Sequence, residues 1–212
     1  MKTTLSRPAR ILAAATAALG AACVLAVPAS AAPATVTFDC EARPPIVGPQ
    51  HAKFDQDATV TAPATVAPGG ALDVVIDPAA NTVPAEVAGY KIKHIKTFAL
   101  KIPIPANSTW VGADLTGGSG LGPTPPKIEV SGNVATLSFP GPLAGGAAFE
   151  LPTVTAHLKA GTSGTIETKL AGSSYADPGL TFTAVVTQLV DIEAPTSCFP
   201  NPSPVFTKTT IG

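Results

Sequence analysis

The sequence predicts an all-β fold, namely an antiparallel immunoglobulin-like β-sandwich of about eleven strands with at most one short helix. Three observations favour this fold. Apolar and polar residues alternate over many short segments, which is the pattern of half-buried strands. These segments are rich in Thr and Val, two residue types that favour strands. Signals for turns recur about every 8 to 15 residues, where many of the 23 Pro and 19 Gly lie.

The predicted strands follow one another with short breaks. They cover residues 34–39, 57–62, 71–77, 90–105, 108–115, 127–130, 134–139, 151–159, 165–170, 180–192 and 205–211. The Gly132-Asn133 pair suits the tight turn of a hairpin, and residues 151–170 predict a second hairpin. Residues 81–89 form the one stretch that could hold a short helix. We expect residues 32–212 to form a single elaborated sandwich domain.

Residues 1–31 have the features of a secretory signal peptide. Three basic residues precede a long apolar run, and small residues that signal peptidase recognises follow it: Lys2, Arg7 and Arg10, then Ile11 to Val27, then Ala29-Ser30-Ala31. A membrane anchor is the alternative, but it needs about 20 apolar residues. A lipoprotein signal at Cys23 is a second alternative, and Gly20 stands where such signals have Leu. We therefore expect a secreted or envelope location.

Charged residues make up 13% of the chain, about half of the usual fraction. Such a low charge argues against a coiled coil, a nucleic-acid-binding protein and an acidic disordered tail. Removal of the signal peptide takes away three basic residues and no acidic ones, so the formal net charge changes from −1 to −4. We expect no nucleic-acid partner, and no later segment is long and apolar enough to predict a transmembrane helix.

Two cysteines remain after signal cleavage, Cys40 and Cys198, at opposite ends of the chain. An even number of cysteines in an oxidising compartment favours a disulfide. The alternative is a reactive thiol or a metal ligand, but neither cysteine has a Cys-x-x-Cys or Cys-x-x-His partner. The sequence predicts a structural bridge between the first strand region and the last.

No motif indicates a catalytic, cofactor or metal site. In the Gly117–Gly122 segment, Ser119 lies between glycines, but Leu121 stands where a nucleophile elbow needs Gly. The three histidines lie far apart, and the Asp55 and Asp57 pair lacks a Gly-rich calcium loop. We expect a chain that is not an enzyme, with no catalytic residue, no cofactor and no metal.

The one concentration of charge contains four lysines and a histidine on a single predicted strand: Lys91, Lys93, His94, Lys96 and Lys101. These lysines could contact an anionic envelope polymer or lipid headgroups. The alternative, which we favour, is an exposed edge strand that the lysines protect from aggregation. The spacing places Lys96 on the other face from Lys91 and Lys93, which predicts a β-bulge near His94. Trp110 is expected to lie in the core at a seam of the sandwich.

Six segments together resemble a family of exported actinobacterial immunoglobulin-like β-sandwich proteins that has no established activity. They are VTFDCEARPPIVGPQ, PIPANSTW, GGSGLG, FPGPLAGGAAFELP, LAGSSYADPGLTF and PTSCFPNPSP. The resemblance implies export and a disulfide between Cys40 and Cys198. It carries no catalytic residue over to this chain.

Two functional hypotheses follow from the sequence. The first is a secreted or envelope-associated, non-catalytic protein that acts through surface contacts with an unidentified envelope or extracellular partner. The alternative is an extracellular carrier of an apolar, lipid-like ligand held between the sheets. A cavity of several hundred cubic ångströms would favour the carrier, whereas a fully packed interior would exclude it.

Overall fold

The computed structural model describes residues 28–29, 33–45 and 47–212, and over these residues it contains strands and no helix. The predicted signal peptide lies outside the described residues apart from Pro28–Ala29. The strands are β1 (Pro28–Ala29), β2 (Ala34–Ala42), β3 (Gln50–Pro63), β4 (Thr65–Val66), β5 (Ala71–Pro78), β6 (Asn81–Thr82), β7 (Glu86–Val87), β8 (Tyr90–Pro103), β9 (Ser108–Thr116), β10 (Lys127–Ser131), β11 (Val134–Phe139), β12 (Leu143–Ala144), β13 (Ala148–Phe149), β14 (Thr153–Ala160), β15 (Gly164–Thr168), β16 (Leu180–Thr187), β17 (Asp191–Pro200) and β18 (Thr207–Ile211).

One large antiparallel sheet organises the molecule. Its strands lie in the order β10-β11-β8-β16-β17-β2-β3-β5-β14-β9, and β10 and β9 at the two ends come into contact. The sheet is therefore nearly closed, and its two halves face each other like the layers of a sandwich. Two small sheets, β13-β6 and β15-β18-β4, complete the structure. The predicted all-β antiparallel fold is confirmed, while the immunoglobulin-like topology and the single domain stay predictions.

Local sequence signals place the strands well, and the hairpin of β10 and β11 is confirmed. Ser131 pairs with Val134 across the turn, and Gly132 has a φ of 57°, a left-handed value that glycine adopts without strain. Each of the eleven predicted segments overlaps a strand. The segment 180–192 overlaps two, because β16 and β17 are separate strands joined by a turn at 188–190.

Two sequence predictions about strand pairing are wrong. The expected second hairpin does not form, because β14 pairs with β5 and β9 while β15 pairs with β18. The stretch that could hold a helix instead contains β6 and β7. The lysine-bearing strand β8 is not an edge strand, because β11, β12 and β7 pair with one side of it and β16 pairs with the other.

The predicted bulge in β8 is confirmed. The register between β8 and β16 shifts where Val185 and Val186 pair with His94 and Ile92, so that Lys93 is the extra residue. A second shift lies near Thr97, which has a φ of 55°. As a result the inward-facing positions of β8 do not follow a strict period of two.

Apolar side chains inside the sheet form two clusters. The first cluster lies under β2, β8 and β16, and Phe38, Phe98, Phe139 and Leu180 are among its buried members. The second lies under β5, β14 and β18. Trp110 was expected in the core, but it is half-buried and packs against this second cluster rather than lying within it. No helix in the described residues is long and apolar enough to cross a membrane.

The predicted disulfide is confirmed. Cys40 on β2 and Cys198 on β17 lie directly opposite each other on neighbouring strands, with their Cα atoms 4.1 Å apart, and their sulfur atoms are bonded. The bridge closes a loop between residues 158 positions apart. It therefore ties the first long strand of the described chain to one of the last, inside the first apolar cluster.

Candidate functional site

A cavity of about 270 Å³ opens into the first apolar cluster. One wall is formed by β8, β16, β17, β2 and β3, and the lining is completed mainly by Val83, Pro84, Val87, Ala88 and Phe149. Cavities that bind small ligands typically measure about 300 to 1,000 Å³, so this one lies just below the lower end of that range. The carrier hypothesis called for an apolar cavity of several hundred cubic ångströms, and the structure contains an apolar cavity slightly smaller than that.

The pairing of the strands shows how the cavity is layered. Near the tip of the β16–β17 hairpin, Val186 lies between Ile92 and Ile192 on the neighbouring strands. One layer deeper, Ala184 lies between Ile95 and Ala194 in the same way. All six side chains line the cavity. The cavity therefore runs along the strands, from the hairpin tip towards the centre of the molecule.

Alanine at inward-facing positions leaves this space open. Ala42, Ala52, Ala184 and Ala194 line the cavity on four consecutive strands. A protein interior is normally close-packed, and leucine or phenylalanine at these positions would fill the space. The preference of this chain for Ala over large apolar residues thus has a local consequence, which is a hollow in one end of the sandwich.

The open end of the cavity, here called the mouth, is formed by its exposed lining residues, which are Val47, His51, Lys53, Pro84, Ala88 and Gln188. Two apolar side chains project beside it, because Leu189 is fully exposed and Val190 largely exposed at the tip of the β16–β17 turn. The mouth therefore combines polar side chains with exposed apolar ones.

The closed end of the cavity, here called the floor, consists of Phe54, Phe98, Phe149 and Leu180. The last three are almost completely buried, and Phe54 is half-buried. Beyond these four residues lies a second, smaller void of about 50 Å³ that they also line. The floor thus separates two hollow spaces within one core.

Polar groups in the wall are already satisfied. The buried Thr196 hydroxyl donates a hydrogen bond to the Ala194 carbonyl at 3.0 Å. Throughout the described part of the chain, every buried side-chain nitrogen or oxygen has a hydrogen-bond partner. The inner part of the cavity therefore offers a ligand apolar contact rather than a hydrogen bond.

The predicted cationic residues lie on β8 and are partly neutralised. Lys93 Nζ lies 2.6 Å from a carboxylate oxygen of Asp191, and Lys96 pairs with Glu193 in the same way. The hydrogen bond from Lys93 lowers the pKa of Asp191. Lys91 lies opposite Glu86, and Lys101 lies farther along β8. Contact of these lysines with an anionic surface stays a prediction, and the ion pairs reduce the charge available for it.

A histidine between two carboxylates lies on the outer face of the sheet. His157 Nδ1 is 2.7 Å from Asp73 Oδ1, and its Nε2 is 3.1 Å from Asp114 Oδ2. The hydrogen bond with Asp73, followed by that with Asp114, raises the pKa of His157. Protonated His157 thus links β5, β14 and β9 electrostatically. Both carboxylates are well exposed, so the stabilisation by each pair is small.

The other candidate positions of the sequence are spread over the surface and loops. Ser119 lies in the loop between β9 and β10, where it forms an isolated bridge with Glu150. Asp57 accepts a hydrogen bond from the hydroxyl of Thr35 on the outer face of β3. No group of three potential metal-ligating side chains occurs within the residues that the structure describes. These positions do not converge on one site.

Comparisons with known proteins support the fold. The sequence matches no family model and no curated protein. The crystal structure of a Corynebacterium diphtheriae protein described as membrane anchored is similar, with a TM-score of 0.58 and 20% sequence identity over 85% of this chain. This chain spans 38% of the length of that protein. At this identity the likeness shows a shared fold and nothing finer.

Proposed function

We propose that this chain is an exported, non-enzymatic protein of the cell envelope or extracellular space that binds an apolar, lipid-like ligand. The observation that carries the proposal is the cavity in the first apolar cluster, which is about 270 Å³ in volume and open to solvent. Its inner lining is apolar, and a ligand would fill space that the side chains leave empty.

The energetics of the hollow favour a ligand. Side chains around a void lose dispersion contacts on one side, so an empty cavity is less stable than a packed core. An apolar group that enters the cavity regains those contacts and leaves water, which contributes about 25 cal/mol for each Å² of apolar surface buried. A role through surface contacts alone would not require this hollow.

The chemistry of the lining indicates an amphiphile. The floor contains only phenylalanine and leucine, whereas His51 and Gln188 lie at the mouth. An apolar tail would therefore point towards the floor and a polar head towards the mouth. A cavity of about 150 Å³ holds a benzene molecule, so by the same ratio this one has room for about eleven carbon atoms.

Export is supported by two features of the chain. Residues 1–31 have the pattern of a signal peptide, and the Cys40–Cys198 disulfide is typical of an oxidising compartment. The structural neighbour from Corynebacterium diphtheriae is described as membrane anchored. Together they favour a place at or outside the cell envelope, where lipid-like molecules are abundant.

Two ligands of equal length test the proposal. We expect 1-decanol to bind the purified mature protein, as measured by isothermal titration calorimetry. We expect 1,10-decanediol to bind at least fivefold more weakly, because its second hydroxyl would lie unpaired against the floor, and burial of an unpaired hydroxyl costs about 1–3 kcal/mol. Equal affinity for the two ligands, or no heat of binding with decanol, would contradict the proposal.

A further inference from the structure

We propose that Phe54, Phe98, Phe149 and Leu180, the floor of the cavity, determine the longest ligand chain that the protein accepts. This inference rests on the proposed function and names its ligand class, which is an amphiphile with one straight apolar chain. Its starting observation is that the same four side chains line both the main cavity and the 50 Å³ void beyond it. They are the partition between the two spaces.

The strand register puts this partition at the deep end. Along β16 the cavity is lined first by Val186 near the mouth, then by Ala184 and Phe182, and last by Leu180. A ligand whose apolar tail enters beside Gln188 and follows the strands therefore reaches the floor last.

The floor is held rigidly from behind. Phe98 stacks on Phe139, with ring centroids 4.7 Å apart and planes at 16°. Phe54 packs against Phe38, with their ring centroids 6.3 Å apart. Phe38 and Phe139 are themselves buried, so rotation of the Phe54 or Phe98 ring would break its contact with a buried ring. A ligand of the right length makes contact with this surface, and a longer one must leave part of its chain in water.

The two volumes give the expected length. The main cavity has room for about eleven carbon atoms, and the small void would add about two more, by the benzene comparison made above. The binding affinity of straight-chain alcohols is therefore expected to rise with each added carbon up to about eleven carbons, and then to stop rising. The partition, rather than the strand length, sets this limit.

The test is a series of straight-chain primary alcohols with six to sixteen carbons, titrated into the full mature protein. For Phe54→Ala we expect the length at which affinity stops rising to increase by at least two carbons, because the partition is breached. Phe98→Leu breaches the same partition with a smaller loss of packing. It replaces Phe54→Ala in this test if Phe54→Ala does not fold. Circular dichroism shows which variant is folded.

Phe182→Ala is the matched control, because Phe182 is a half-buried phenylalanine that lines the main cavity and not the small void. The same ring is removed, but from the side wall, so the main cavity widens without a breach of the floor, and the limiting length should increase by fewer carbons than in Phe54→Ala. A limit that shifts equally in Phe182→Ala, or does not shift in a folded floor variant, would overturn the inference. If no alcohol of any length binds the wild-type protein, it is the proposed function that fails.

Discussion

Replacement of Cys40 and Cys198 together by alanine is expected to lower the free energy of unfolding by about 2–5 kcal/mol, the range typical of native disulfides. The bond closes a loop between residues 158 positions apart, and a loop of this length restricts the unfolded chain strongly. In the chain-entropy model the corresponding contribution is about 5 kcal/mol. Both cysteines are buried, so their loss also removes packing in the first apolar cluster.

Urea denaturation followed by circular dichroism measures this effect. Wild-type protein with and without reductant is compared with the double variant, and the reductant should destabilise only the wild type. A reductant-induced shift in the double variant would reveal an effect unrelated to the bridge. Equal stability of the oxidised wild type and the double variant would contradict the expected role of the disulfide.

Filling the cavity is expected to abolish most ligand binding without unfolding the protein. Ala184 and Ala194 pair across β16 and β17 and both line the cavity. The double variant Ala184→Leu and Ala194→Leu adds six carbon atoms to a space for about eleven. We expect its affinity for 1-decanol to fall at least tenfold. Because the new methyl groups fill a void, the free energy of unfolding should stay constant or rise by about 0.5–2 kcal/mol.

A lower affinity for decanol combined with constant or higher stability distinguishes an open cavity from an ordinary core. In a packed core, added carbon atoms cost about 1–3 kcal/mol, so a destabilised variant would show that the space is not open. The matched control is Ala99→Leu, because Ala99 lies on β8 but does not line the cavity. Its decanol affinity should equal that of the wild type. Unchanged affinity in the filled variant would place the ligand elsewhere.

Local signals made the strands predictable, while strand pairing depended on distant residues. The Gly132-Asn133 turn indicated its hairpin because that pair favours the turn by itself. The turn at 188–190 carries Gln, Leu and Val, with no Gly, Pro, Asn or Asp to mark it. The sequence therefore predicted one long strand there. Similarly, β15 pairs with β18 about forty residues later, and no local pattern encodes that choice.

From the sequence, the cavity could be predicted only as part of the alternative hypothesis of a ligand carrier. Its signal in the sequence is alanine at strand positions whose side chains face inward, as at Ala184 and Ala194. That signal has meaning only once the pairing shows that these alanines face one space, and the two bulges in β8 shift which of its residues point inward. The disulfide was easier to predict because two cysteines in an oxidising compartment allow one pairing.

Native mass spectrometry of the secreted protein tests the central claim, that the cavity holds an apolar ligand, most directly. The protein is purified without detergent from the culture medium or the envelope fraction, and its mass is measured before and after extraction with organic solvent. We expect an additional mass that disappears on extraction in the wild type and is absent from the Ala184→Leu and Ala194→Leu double variant. A wild-type protein that carries no extractable mass and takes up none from a lipid extract of its source would contradict the claim.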